Sequence, residues 1–457
     1  MMRQKTGHDL DHNSACQMYA GRVNKQWVKF LNLLDMNVNY ARCVGSKLYT
    51  DTGDCYTDFL SGYCVQNVGH NNPVVADAIR DELERQGPLI LQSLVPHHAA
   101  LLAERLTSLA GGRLERLTYT NTGSEGVETA MKFARVHTSR PGILACLGAF
   151  HGASYGAMSI MRDDSWCGGC GPFLPDTECI PYLDLQQLEE KLRTKHYAAF
   201  IVEGLQSEAG LRLLPRDQFL EAQRLCRQYG TLLVLDEVQT GVFRTGKFII
   251  SHHFGIEPDM VILSKALSGG MLPVGAVLMS RAINESVFDG VDKAFFNQTT
   301  FSENALSMRA ALAALDVIEA QGLAERATYL GNMLREKVTA LVPKYEMLKE
   351  IRGIGLMNGV ELQPPQSLKL RAMFKPFSLA HSALFGQMVV MKMFREEKIL
   401  TQICGNSYMT IKASPPLVAS EEDLDLFVSA LDKVMADFQA GRGFAEGLQI
   451  AKRAFGA

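Results

Sequence analysis

Ser264-Lys265-Ala266-Leu267-Ser268-Gly269-Gly270 sets a lysine at the end of the apolar run Asp259-Met260-Val261-Ile262-Leu263. A second apolar run, Leu232-Leu233-Val234-Leu235, ends in the carboxylates Asp236-Glu237. Dry, glycine-flanked surroundings disfavour an ammonium and leave a neutral amine, a nucleophile able to form a Schiff base with an aldehyde. A buried carboxylate needs a cationic partner. Pyridoxal phosphate meets both needs, offering an aldehyde to Lys265 and a pyridinium nitrogen to Asp236.

Four further segments suit the same chemistry. Asn121-Thr122-Gly123-Ser124-Glu125-Gly126 joins an expected strand to an expected helix, so Gly123 and Ser124 would offer N–H groups and a hydroxyl to a phosphate at a positive helix end. Taken alone it also reads as an ordinary turn and cap. Phe150-His151-Gly152 follows another strand and could stack an aromatic on a planar ring, although packed aromatics are commoner. Val202-Glu203-Gly204-Leu205-Gln206-Ser207-Glu208 sets two carboxylates just past a strand end. Asn297-Gln298-Thr299-Thr300-Phe301 carries loop hydroxyls that local turns would also explain.

The elements that must position these residues alternate between β-rich runs and helical patterns from about residue 115 to 280, the pattern of βαβ units and a mostly parallel sheet. Strands are expected at Arg116 to Thr120, Ile143 to Leu147, Ala199 to Val202, Thr231 to Leu235, Met260 to Leu263 and Val274 to Met279, with helices at Glu125 to Val136 and Gln218 to Tyr229. The candidate residues fall at strand ends and in the loops that follow, where open α/β sheets bind ligands. Beyond a helix-rich stretch from Asn304 to Leu341 the pattern becomes α+β. It has a strand region at Met347 to Leu362, a helix at Ser378 to Glu397, a hairpin-like pair around Gly405 and a helix at Glu421 to Phe438. Residues 43 to 70 read as a small sheet that could join this C-terminal part.

At 457 residues the chain is long enough for two unequal domains, and its 47% apolar content can fill both. The expected division is an N-terminal segment, 1–75, serving the small domain and dimer contacts, a large cofactor domain, 76–330, and a small C-terminal domain, 331–457. A net charge of −3 without basic blocks argues against nucleic acid. Met1 to Asp9 lacks the apolar core of a secretory signal and no run is long enough to span a bilayer, so the expectation is a cytoplasmic protein without membrane contact. The Met-rich run Phe385 to Phe394 reads as a buried helix rather than an interfacial one. Ten dispersed cysteines suit free thiols, and Cys167-Gly168-Gly169-Cys170, with no second pair beside it, reads as a loop rather than a metal or redox centre; no metal is expected.

In this order, the segments resemble the class III aminotransferases, the ornithine, acetylornithine and 4-aminobutyrate group of fold-type I pyridoxal-phosphate enzymes. The resemblance runs from about Tyr49 to Leu424. It rests on Tyr49 to Tyr63 with Gly69-His70, on Asp236-Glu237-Val238-Gln239-Thr240-Gly241 with Arg244-Thr245-Gly246, and on Ser264 to Gly270. It implies a large domain with a mostly parallel seven-stranded sheet and a smaller α+β domain. It implies that Lys265 holds the cofactor, Asp236 binds its ring nitrogen, Gln239 reaches the ring hydroxyl, and Phe150, with His151 beside it, contacts the ring. Gly123 and Ser124 would hold the phosphate, helped by Thr300 of a second copy, so a homodimer is implied. Tyr63, Glu203, Glu208 and Lys412 would face the substrate. The implied reaction is ping-pong transfer of an amino group between a primary amine and a keto acid or aldehyde.

Two segments depart from the group's pattern. Met409-Thr410-Ile411-Lys412-Ala413-Ser414-Pro415-Pro416-Leu417 puts lysine where the group has the arginine that clamps an α-carboxylate and is held off at other times by the glutamate matching Glu208. Lysine lacks the rigid fork, so that clamp is weakened or gone, unless Lys412 serves as a point charge. Ser302-Glu303-Asn304-Ala305 likewise replaces the group's Gly-Gly-Asn-Pro. The expectation is an ω-amine, or another amine or aldehyde without a nearby carboxylate, in a biosynthetic role. A lyase, decarboxylase or aminomutase would use the same Lys265 and Asp236, and a non-catalytic relative would need neither.

Overall fold

The computed structural model describes residues 10–444, apart from 92, 183 and 406. Residues 1–9 and 445–457, and with them the outer ends of the expected terminal segments, lie outside the described residues.

Among the described residues sixteen strands form four sheets. In chain order they are β1 (Tyr40–Val44), β2 (Lys47–Thr50), β3 (Cys55–Asp58), β4 (Arg116–Thr120), β5 (Gly142–Cys146), β6 (Thr177–Ile180), β7 (Tyr197–Val202), β8 (Leu205–Gln206) and β9 (Arg212–Leu213). Then follow β10 (Leu232–Asp236), β11 (Met260–Leu263), β12 (Gly275–Met279), β13 (Leu348–Ile354), β14 (Met357–Leu362), β15 (Ile399–Leu400) and β16 (Thr410–Ala413). The large sheet has the order β4-β12-β11-β10-β7-β5-β6. Only β12 runs against its neighbours, pairing antiparallel with both β11 and β4. The fold is thus an α/β fold built on a seven-stranded, mostly parallel sheet.

The central strands are continuous apolar runs because helices cover both faces, and every residue of β5, β7, β10, β11 and β12 is buried. The helix Gly123–Thr138 lies against this sheet through Gly126, where a Cβ would meet Ile262 Cγ2 at 2.5 Å. A larger residue would lift the helix and move its N-terminus, which borders the site described below.

The first sheet, β1-β2-β3-β15, joins residues 40–58 to a strand from far along the chain, with Ile399 and Leu400 beside Thr57 and Asp58. A third sheet, β13-β14-β16, completes the C-terminal region. The hairpin-like pair expected around Gly405 is short: its arms meet at one antiparallel bridge, Ile403 to Ile411, where Cys404 N donates to Thr410 O and Lys412 N to Gln402 O, both at 2.8 Å, while β15 pairs with β3 and β16 with β14. The helix expected over 378–397 is two, Leu368–Ala380 and Leu384–Glu397. The second buries most of the Met-rich run, including Lys392, whose ammonium meets Glu396 at 3.0 Å and Asp437 at 3.3 Å. Among the described residues no helix is long and apolar enough to cross a membrane.

Candidate active site

Lys265 enters directly after β11 and Asp236 closes the neighbouring parallel strand β10, so adjacent strands deliver both to one edge of the sheet. Lys265 has φ +45°, a left-handed conformation that an L-residue adopts at a cost, and Gly269 closes the short turn that follows. Its ammonium is disfavoured: burial lowers the pKa, against an opposing pull from the Asp236 charge. The side chain borders two connected spaces. One, of about 480 Å³, is lined by Gly123, Ser124, Phe150, His151, Glu203, Asp236 and Gln239. The other, of about 1240 Å³, opens past Tyr63, Glu208 and Gln239.

The smaller space has the donor set of a phosphate and ring site. Thr122 caps the helix Gly123–Thr138 by accepting from Glu125 N at 3.1 Å, and the Glu125 carboxylate reaches back to Asn121 N at 2.8 Å. This fixes the helix N-terminus with Gly123 and Ser124 at the cavity wall. Gly152, at φ +125°, lets the next loop come so close that a Cβ there would collide with Ser124 Oγ, and Ala153 N donates to that oxygen at 3.3 Å.

His151 Nδ1 lies 2.8 Å from Asp236 Oδ2, while Oδ1 accepts from Val238 N at 3.1 Å. Burial alone would lower the His151 pKa, but the hydrogen bond and charge of Asp236, aided by Glu203, raise it above the ordinary value. The other ring nitrogen, Nε2, is buried without a hydrogen-bond partner. Glu203 is buried too and accepts from Phe150 N at 2.9 Å; burial holds its carboxyl up at about 7.

On the larger space, Glu208 pairs with Lys412 of β16 and accepts from Gly405 N at 2.9 Å. Burial raises the Glu208 pKa, but Lys412 reverses the sign and holds it below the ordinary range; burial likewise lowers Lys412, and Glu208 raises it overall. Ser207 Oγ donates to Gln239 Oε1 at 2.9 Å, tying that side chain to the same group. Tyr63 belongs to a left-handed turn in which Ser61, Gly62, Tyr63 and Cys64 all have positive φ. Such residues cost about 1–2 kcal/mol each outside glycine. Asp58 Oδ1 offsets that by accepting from Leu60 N at 2.8 Å and Ser61 N at 2.7 Å.

Eleven of the twelve residues expected from the sequence thus gather around Lys265: Gly123, Ser124, Phe150, His151, Asp236, Gln239, Glu203, Tyr63, Glu208 and Lys412 with Lys265 itself. Thr300 does not join them; it is exposed and borders a separate recess with Leu89 to Leu91 and His97. Trp27, Phe30 and Trp166, which line the larger space, carried no sequence signal, because only tertiary packing brings them to Lys265. Cys167 is buried, its thiol 3.7 Å from Met158 O, and among the described residues no cluster of His, Cys, Asp and Glu could hold a metal.

The set fits pyridoxal phosphate: a helix N-terminus with a hydroxyl for the phosphate, a carboxylate backed by a buried histidine for the ring nitrogen, and a desolvated lysine between them. The aminotransferase class-III family model matches residues 32–435. The chain is 32% identical over 447 residues to the aminotransferase PigE of Serratia sp., covering 91% of this chain and 52% of PigE, so it spans about half the length of that curated relative. Among solved structures it is similar to the ornithine aminotransferase of Toxoplasma gondii ME49, with TM-score 0.83 and 26% identity over 96% of this chain and 100% of that one. It is equally similar, at TM-score 0.83 and 26% identity, to a thermostable (S)-enantioselective omega-transaminase of Thermomicrobium roseum, over 94% of this chain and 100% of that one.

Proposed function

The chain belongs to the class-III aminotransferases, which depend on pyridoxal phosphate, and from that premise we propose that it moves an amino group from a primary amine without an α-carboxylate to a keto acid or aldehyde, in two half-reactions. The observation that carries the substrate side is the Glu208–Lys412 pair: the lysine standing where a carboxylate clamp is expected is buried and already neutralised.

Bound in the smaller space, the cofactor supplies an electron-poor ring that stabilises negative charge on the amine-bearing carbon. Asp236 keeps the proton on the ring nitrogen, and His151 fixes its carboxylate from behind. Gly123 and Ser124 hold the phosphate. Lys265, whose charge burial disfavours, would take the proton from the amine-bearing carbon at Nζ and hand it, within the same half-reaction, to the carbon that had carried the aldehyde; the second half-reaction would run the transfer backwards. Gln239 would reach the ring hydroxyl, and Phe150 would contact the ring. Tyr63, Glu203 and Glu208 face the incoming amine.

Thr300, exposed and outside the lining of its own Lys265 site, serves the phosphate of a second copy in a homodimer. Ten free thiols suit a reducing cytoplasm, and a biosynthetic role suits the unusual clamp. The test is a panel of amines with and without an α-carboxylate, each with and without a keto acid. The expected result is turnover of carboxylate-free amines that requires the keto acid. Strong preference for ornithine would overturn the substrate assignment, and turnover without a keto acid would indicate a lyase instead.

A further inference from the structure

The larger space beside Lys265 has walls that the chemistry above does not use. The helix Lys25–Leu33 is anchored by Asn24, whose side chain accepts from Gln26 N at 3.0 Å and Trp27 N at 3.1 Å. Trp27 and Phe30, one turn apart, stack at 5.8 Å on the cavity side. Leu384, Met388 and Met391, at i, i+4 and i+7 of the helix Leu384–Glu397, line the same space, and Trp166 packs edge-on against Phe150 at 4.9 Å beside Lys265. Trp27 remains 48% exposed and Trp166 39%, so each ring is only partly covered by its own chain. Among the described lining residues there is no arginine, the glutamate is spent on Lys412, and Asn24, Gln26, Ser165, His381, Gln387 and Gln402 add polar groups between the apolar ones. Aromatic, aliphatic and thioether side chains make most of this wall and favour an apolar occupant, and Met adapts to an unbranched chain.

We propose that this space is a tail subsite, so that the substrate is an amine, or the corresponding aldehyde, carrying an extended alkyl or arylalkyl chain that lies between the Trp27–Phe30 face and the Met388–Met391 face. The inference rests on the transaminase reading, because continuity with Lys265 is what makes the occupant a substrate tail rather than a separate ligand. Each methylene moved from water onto such a wall improves binding by about fourfold.

The protein's two tryptophans, Trp27 and Trp166, both line this space, so intrinsic fluorescence reports on it directly. The cofactor-loaded protein is titrated with n-butanol, n-hexanol and n-octanol, which cannot react. In parallel kcat/KM is measured for n-butylamine, n-hexylamine and n-octylamine with a keto acid. The expected results are a saturable blue shift of emission and a rise of about fourfold per methylene in both series. Trp27→Ala combined with Phe30→Ala is expected to flatten both slopes while the absorption of the Lys265-bound cofactor persists, which shows that the variant is folded. Amines turned over with equal kcat/KM at all lengths, and emission insensitive to the alcohols, would overturn the tail subsite and leave transamination standing. Failure to turn over any of the three amines would overturn the tail subsite, whereas failure across the whole panel of amines with and without an α-carboxylate would overturn the transaminase reading and this inference with it.

Discussion

The Lys412 ammonium lies 4.6 Å from the centre of the Tyr63 ring, on the residue that a left-handed turn holds in place. Its other neighbour is Glu208, so one buried cation is shared between a carboxylate and an aromatic face. This arrangement, more than the loss of an arginine alone, is what supports the proposal of an amine without an α-carboxylate.

Lys412→Met leaves Glu208 buried without its cation and is expected to cost about 3–5 kcal/mol of stability. Combining it with Glu208→Gln should recover most of that loss, because the pair then disappears as a unit. Denaturant unfolding of the two single variants and the double variant checks this. Equal and additive losses would mean that the pair is not coupled.

His151→Gln removes the imidazolium that faces Asp236. Because the folded His151 pKa is raised above 6.5, its contribution is fully present below pH 6.5 and is lost as pH rises through the folded value. The stability gap between the native protein and the variant should therefore narrow above pH 6.5. A gap independent of pH would show a neutral histidine.

Glu237, next to Asp236, accepts from Ile250 N at 2.8 Å in a fully buried setting, and burial raises its carboxyl from 4.5 to about 7. The folded state holds this proton more tightly than the unfolded chain does. Stability is accordingly lost as pH rises from 4.5 to 7, and that loss levels off above 7. Glu237→Gln removes this dependence, so the variant should gain on the native protein across that interval. Thermal unfolding at a series of pH values reads the difference, and a constant difference would contradict it.

Much of this site is written in local sequence, because β10 and β11 are apolar runs that end abruptly in Asp236 and Lys265. Where the chain relies on distant partners the pattern is silent. β6 was not anticipated: Thr-Glu-Cys-Ile is short and carries a charge, as an edge strand tolerates. Ile399–Leu400 and Thr410–Ala413 look like two arms of one hairpin in sequence, yet each pairs with a strand elsewhere. Pro376 hides the helix Leu368–Ala380, since proline commonly marks a boundary rather than an interior. Trp27 and Phe30 carry no sequence signal for the site, because only the fold brings their helix to the space that Met388 lines.

The central claim is a covalent bond between Lys265 Nζ and pyridoxal phosphate. Borohydride reduction of the freshly purified protein, followed by peptide mass analysis, tests it most directly. The expected result is the reduced cofactor attached to the peptide containing Lys265 and absent from Lys265→Ala. An unmodified Lys265, or attachment at a different lysine, would contradict the account.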